Sequence, residues 1–260
     1  EGDAFTKDKL TKSIRNLKSK QIFKDIKSNV NEKKDSLIEL TIEVEEQPTG
    51  SVSAGIGAGS SGATIGTSIQ ETNLFGKGIK SNINLNLGTE KVLGVIDLQI
   101  PDFFNSGNEF GYIFSAVSTD FENSGYENSK VGNAVSIKYD IYEDLALSYG
   151  FGIDLDKIDT SDSASELYKS REGNYLTSKV FYNLGIDKRD RFISPTKGYK
   201  TSFGQTLSLP SSDVVFLGNN FNSSYYHALN EDFVLGLKGG VSTINSLNDK
   251  DVKLSDRKFL

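Results

Sequence analysis

Beyond residue 50 the chain alternates apolar and polar side chains in segment after segment, and a period of two confines that region to β-structure. The pattern is plainest from Ile79 to Leu87. Ile79, Ile83, Leu85 and Leu87 share one side there, and Lys80, Asn82, Asn84 and Asn86 share the other. Val92, Ile96, Leu98 and Ile100 repeat it, as do Val131, Val135, Ile137, Tyr139 and Ile141. Val180, Tyr182, Leu184 and Ile186 follow, then Phe233, Leu235, Leu237 and Val241. The spacing predicts about eleven strands, starting near residues 51, 63, 78, 91, 109, 129, 144, 174, 199, 213 and 231.

Alternation alone suits a soluble sandwich as well as a barrel in lipid. Three features favour the barrel. Several strands run ten residues or more, against a mode of about 5–6 in globular proteins. Aromatics cluster near strand ends, at Phe75, Phe103, Phe104, Tyr142, Phe192, Tyr199, Tyr225 and Tyr226, where a membrane girdle places them. Connection lengths also alternate. With the N-terminal segment on the periplasmic side, the turns around Phe75-Gly76, Asn105–Gly107, Glu143-Asp144 and Asn230-Glu231 are tight, and Arg189–Thr196 is a long exception. The outer connections around Asn123–Asn128 and Lys157–Gly173 are longer and polar.

Composition excludes several classes. No apolar run reaches the roughly 18–20 residues of a membrane-spanning helix. A barrel strand needs only about 9–11 residues and shows lipid every second side chain. There is no Cys, so no disulfide, thiolate metal site or Cys nucleophile. A net charge of −6 gives nucleic acid no concentrated basic face. The chain starts at Glu1 without a signal peptide and stops at Asp256-Arg257-Lys258-Phe259-Leu260, in mid-loop, so both ends read as cut.

The first 47 residues have another texture, dense in Lys and Glu. Leu10, Ile14 and Leu17 form one stripe of a helix from the N-cap Thr6 to Ser19. Ile22, Ile26 and Val30 follow, then a turn at Asn31–Asp35. A strand from Ser36 to Val44 carries Ile38, Leu40, Ile42 and Val44 between Glu39, Thr41 and Glu43. Gln47, Pro48 and Gly50 mark a boundary, since Pro and Gly interrupt regular structure.

Nothing in the sequence has the pattern of an enzyme. Asp187, Arg189 and Asp190 precede Pro195-Thr196-Lys197-Gly198 without a nearby His, so an Arg–carboxylate pair ordering a strand end is expected rather than catalysis. Asp154, Asp156, Asp159 and Asp162 lack the central Gly of an EF-hand and read as a solvated acidic loop with at most weak cation contact. His227, the one His, reads as an interfacial or lumen residue. No nucleophile elbow or phosphate-binding loop occurs, and no cofactor or metal is expected. Asn73, Gly76 and Gly78 read as a hairpin turn whose glycines supply positive φ, with Phe75 as its anchor. The first long strand, with Val52, Ala54, Gly55, Ile56 and Gly57, has small side chains and weakly specified register.

Several of these pieces, in this order, resemble the BamA-type outer-membrane protein assembly factors of the bacterial surface antigen superfamily. Glu1–Phe5, a helix, Ile22–Ile26 and Val44–Gly50 resemble the end of the last POTRA domain and its junction with a barrel. Asn73–Gly78, Pro101–Phe104 and Asp187–Asp190 with Pro195–Gly198 are similar to the family's periplasmic turns. The resemblance implies a mainly β chain. Residues 1–47 are then the C-terminal part of an α/β POTRA domain, 48–50 a linker, and 51–260 about eleven of about sixteen strands of a transmembrane antiparallel barrel. The remaining strands and an Arg-Gly-Phe loop motif would lie beyond residue 260.

The implied function is insertion of β-barrel proteins into the bacterial outer membrane by strand templating at a lateral gate on the first strand. The implied partners are unfolded outer-membrane clients, outer-membrane lipids and lipopolysaccharide, and accessory lipoproteins, with the N-terminal segment in the periplasm. A sister translocation or secretion pore of the same superfamily, a passive outer-membrane channel, and a soluble sandwich are the alternatives.

Overall fold

A computed structural model of the chain describes residues 5–33, 37–59, 62–142, 144–191, 194–253 and 256. Helix α1 (Lys7–Ser19) begins at Thr6, whose extended backbone and side-chain oxygen cap it by accepting from the Lys9 amide at 3.2 Å. Asp8 in its first turn and Lys18 in its last suit the helix dipole. Leu10, Ile14 and Leu17 are the half-buried stripe, and the helix packs on β1.

Strands β1 (Phe23–Glu32) and β2 (Ile38–Glu46) pair antiparallel as a separate two-stranded sheet. Ile22 and Ile26 supply its buried side chains. The turn is later than the sequence suggests. Asn31 and Glu32 remain in β1, opposite Glu39 and Ile38, and Lys33 donates its amide to the Leu37 carbonyl at 2.7 Å. Ser36, the expected start of β2, lies outside the described residues.

The second sheet is an eleven-stranded antiparallel meander in which every strand pairs with its sequence neighbours. Its strands are β3 (Gly50–Gly59), β4 (Gly62–Leu74), β5 (Ile79–Gly88), β6 (Lys91–Ile100), β7 (Glu109–Phe121) and β8 (Tyr126–Tyr142). After these come β9 (Leu145–Thr160), β10 (Gly173–Asp187), β11 (Lys197–Ser208), β12 (Phe216–Ala228) and β13 (Val234–Ser246). A four-residue helix α2 (Glu166–Lys169) sits between β9 and β10. The sequence count of eleven holds. Starts differ where turn residues continue the ladder: Tyr126 already pairs with Phe121, so β8 begins before residue 129.

Register sorts the side chains onto two faces. Ile83 lies opposite Ile96, Tyr112 opposite Val135, Leu147 opposite Leu184, and Phe203 opposite Phe221, giving one continuous apolar face. That face stays exposed, with no second layer on it among the described residues. A soluble sandwich would cover it. The other face carries Asn82, Ser115, Lys130, Asp154, Lys179 and Ser202. Most of the few buried side chains of the large sheet, among them Ile158, Asp156, Thr177 and Ser208, lie on this polar face toward one end.

The expected length asymmetry of the connections is absent. At the end nearer β2, connections 101–108 and 188–196 are as long as most at the far end, where 89–90 is a tight link. The extra length at the far end is built into strands instead, because β8, β9 and β10 run for 17, 16 and 15 residues.

Candidate functional site

Three features of the large sheet carry functional content: an edge strand, a row of ordered turns at one end, and a buried ionic cluster at the other.

Strand β3 forms one edge. It pairs with β4 from Gly50–Glu71 to Gly59–Gly62, and no strand lies on its other side among the described residues. Alternation places Val52, Ala54 and Ile56 on the apolar face, with Ile56 88% exposed. Gly55 and Gly57 fall on the polar face, where a side chain at Gly55 would meet nothing within 4 Å. The strand therefore has an apolar row on one side and almost no packing on the other.

The junction ahead of β3 is tied at both ends. Gln47 donates its amide to the Ile22 carbonyl at 3.0 Å and its side-chain nitrogen to the Gln21 carbonyl at 2.9 Å. Pro48 follows, and Thr72 of β4 donates its amide to the Thr49 carbonyl at 3.3 Å. A side chain at Gly50 would crowd the Glu71 carboxylate.

The turns at this end are built by side chains that replace missing ladder bonds. Asn73 accepts from the Gly78 amide at 2.7 Å, and its carbonyl accepts from the Gly76 amide at 2.9 Å. Gly76 and Gly78 hold φ of 70° and 66°, but Phe75 is also left-handed at 59°, with its ring 81% exposed. Asp102 does the same for the next turn, accepting from the Gly107 amide at 2.8 Å, while Phe103 stacks on Phe110 and lies tilted against Phe104. In the third turn Arg189 meets Asp187 through Nε at 2.8 Å and Nη2 at 2.6 Å, a bidentate pair. Asp190 takes three donors: the Thr196 and Lys197 amides at 2.9 and 3.0 Å and the Thr196 hydroxyl at 2.6 Å. Thr196 follows Pro195. At Gly198, with φ 100°, any Cβ would collide with the Lys188 carbonyl. Phe192 lies outside the described residues. His227 shares the apolar face with Tyr225, their rings stacked 6.4 Å apart.

The far end holds what sequence reasoning missed. Asp154 and Asp156, expected in a solvated loop, are 5% and 2% exposed on the polar face of β9. Lys130 of β8 lies 3.3 Å from Asp154, 3.4 Å from Asp156 and 3.0 Å from Asp256. Lys179 of β10 meets Asp154 at 2.5 Å. Lys253, 3% exposed, meets Asp156 and the Thr177 hydroxyl at 2.8 Å each. Three ammonium groups and three carboxylates neutralise one another, which is how buried charge is tolerated. Both central carboxylates are taken by lysines, which argues against a cation reading. A signal existed in the sequence: Asp154, Asp156 and Ile158 continue the even-numbered face of Gly150 and Gly152, opposite Phe151, Ile153 and Leu155. Asp159, by contrast, is half-buried and paired with Lys157 at 2.7 Å.

An unclosed antiparallel sheet of long strands, apolar on one exposed face and polar on the other, defines part of a transmembrane β-barrel. Residues 73–260 match the model of the Omp85 superfamily domain, and the chain belongs to that superfamily. It is similar to the outer membrane protein assembly factor BamA of Neorickettsia risticii, at 27% identity across 100% of this chain and 36% of the relative. The corresponding protein of Nitratidesulfovibrio vulgaris is 26% identical over 97% of this chain and 32% of its own length. The chain thus spans about a third of the curated relatives it matches. Among solved structures, BamA from Haemophilus ducreyi lacking POTRA domains 1–3 superposes with a TM-score of 0.72 at 19% identity. That match covers 98% of this chain and 52% of the other. CdiB from Escherichia coli gives 0.64 at 10% identity, covering 95% and 50%.

Proposed function

We propose that this chain is part of a bacterial outer-membrane machine that assembles other β-barrel proteins by offering them a template strand. Residues 1–47 are the C-terminal part of a POTRA domain on the periplasmic side, 48–50 the linker, and 51–260 barrel. The observation that carries the reading is the build of β3, apolar at Val52, Ala54 and Ile56 on one face and bare at Gly55 and Gly57 on the other, in a sheet related to BamA barrels. An unpaired backbone group in lipid costs several kcal/mol. An unfolded client strand that pairs with β3 avoids that cost by β-augmentation. Val52, Ala54 and Ile56 keep lipid against the nascent pair, and the bare side at Gly55 and Gly57 lets β3 separate from a neighbour without breaking a packed layer. The turns at Asn73–Gly78 and Asp187–Gly198 hold Phe75 and the strand ends at the periplasmic interface. Clients, lipids with lipopolysaccharide, and accessory lipoproteins are the partners this role requires.

Residues 1–260 contribute no Cys, so with any cysteine elsewhere in the full-length protein replaced, single-cysteine variants report cleanly. In proteoliposomes carrying the full-length protein, an unfolded client with one cysteine in its terminal strand should form disulfides with Val52→Cys and Ile56→Cys. It should not form them with Val135→Cys on the same face of β8. Equal cross-linking at all three positions overturns the gate. The likeness to CdiB supports a second reading, a sister transport pore. In that case the client cross-links to polar-face cysteines such as Asn84→Cys and emerges on the far side of the vesicle.

A further inference from the structure

Beside the ionic cluster, three connections distant in sequence enclose a cavity of about 300 Å³. Arg171 enters it from the link after α2, Tyr175 from β10, and Lys250, Asp251 and Lys253 from the segment that follows β13. Ile158 and Val214, exposed to 1% and 2%, form its apolar floor.

The cationic groups here are not balanced as they are in the cluster. The Arg171 side chain is 16% exposed and reaches Asp251 through Nη2 at 2.5 Å. Its Nε is buried and has no acceptor among the described residues, an arrangement that removes water from a donor and returns no bond. Lys250 is exposed and has no carboxylate partner among the described residues. Lys253 stacks its ammonium 6.0 Å over the Tyr175 ring while satisfying Asp156 and Thr177 behind it. Tyr175 donates to the Arg171 carbonyl at 2.8 Å, which fixes the approach of the arginine. The Ser170 hydroxyl is used by the Leu167 carbonyl. The cavity therefore offers one unused guanidinium N–H, one uncompensated ammonium and a low-dielectric floor that strengthens both.

We propose that this cavity binds a phosphate oxyanion, either free or carried on a lipid headgroup. A tetrahedral anion with several acceptor oxygens can take the Arg171 Nε–H and the Lys250 ammonium together. A cation is opposed by the surplus positive charge, and a neutral sugar would leave that charge unmet. The site stands apart from β3, so it holds or fails independently of strand templating.

The test is calorimetric titration of the detergent-solubilised full-length protein with inorganic phosphate at constant ionic strength, and separately with monomeric dihexanoyl phosphatidic acid. One saturable site is expected for at least one of the two ligands. Lys250→Gln should weaken it by at least about tenfold, while Lys250→Arg keeps it. Lys250 is exposed, so neither variant should disturb folding, which heat-dependent gel mobility checks. Phosphatidic acid binding more than about tenfold tighter than phosphate, well over 1 kcal/mol, assigns the source to a headgroup; comparable or weaker binding assigns it to free phosphate. Absence of saturable heat with both ligands, or unchanged affinity in Lys250→Gln, overturns the site.

Discussion

Lys253 ties the segment after β13 to strands laid down nearly a hundred residues earlier, and replacing it by Met tests whether that tie holds the segment in place. Its ammonium lies 2.8 Å from Asp156 and from Thr177 and 3.3 Å from Asp256. In Lys253→Met the Asp156 carboxylate, with no exposed side-chain area, keeps only Lys130 at 3.4 Å and the Asn128 amide at 3.2 Å. Breaking a buried pair costs about 3–5 kcal/mol, and the remaining partners place this case near the low end, about 3 kcal/mol. That cost falls on closure of the segment rather than on the whole sheet, so its opening equilibrium should rise about a hundredfold. Hydrogen exchange read by mass spectrometry on the full-length protein should show this in peptides covering 247–253, with β5 peptides unchanged. Adding Asp156→Asn removes the stranded charge, so the double variant should cost less than the sum by at least about 1 kcal/mol. Exchange that changes less than about threefold, or strictly additive effects, would refute the reasoning.

Two further outcomes follow from the faces and the turns. Leu85→Lys puts an ammonium on the apolar face in mid-strand and should lower stability by about 2–4 kcal/mol, whereas Asn84→Lys on the polar face should be close to neutral; urea unfolding in lipid vesicles separates them, and equal costs would mean the faces are misassigned. The Thr196 hydroxyl and the Lys197 and Thr196 amides hold the Asp190 carboxyl well below the usual carboxylate range. A lowered folded pKa stabilises the turn fully above the unfolded value, near 4, and that contribution fades as pH falls through the folded value. Protection of the Lys197 amide, corrected for intrinsic exchange, should thus be flat from neutral pH to about 5 and drop only in strong acid, with Asp190→Asn abolishing the acid step.

The legible parts of this protein were those in which a local rule acts alone. Thr6 caps a helix because its oxygen reaches an amide three residues on. Ile83 and Leu85 flank Asn84 because strand side chains alternate. Asn73 closes a turn with Gly78, five residues away. Each operates within a few residues, so periodicity and turn chemistry located eleven strands and most of their starts. Illegible were the residues whose role depends on what crosses them. Asp154 and Asp156 look like solvated loop acids until Lys130, Lys179 and Lys253 arrive from three other segments. Phe75 looks like a passive anchor until its own left-handed φ shows that it also shapes the turn.

By itself the sequence determined that the chain is a run of two-faced antiparallel strands behind a small α/β module. That follows because a period of two and a tight turn constrain each hairpin without reference to the rest. Only the tertiary structure decided which residues face each other across the sheet and that the acids of β9 are buried rather than wet. Those properties depend on which distant segment lies across a given residue, and no local pattern encodes that.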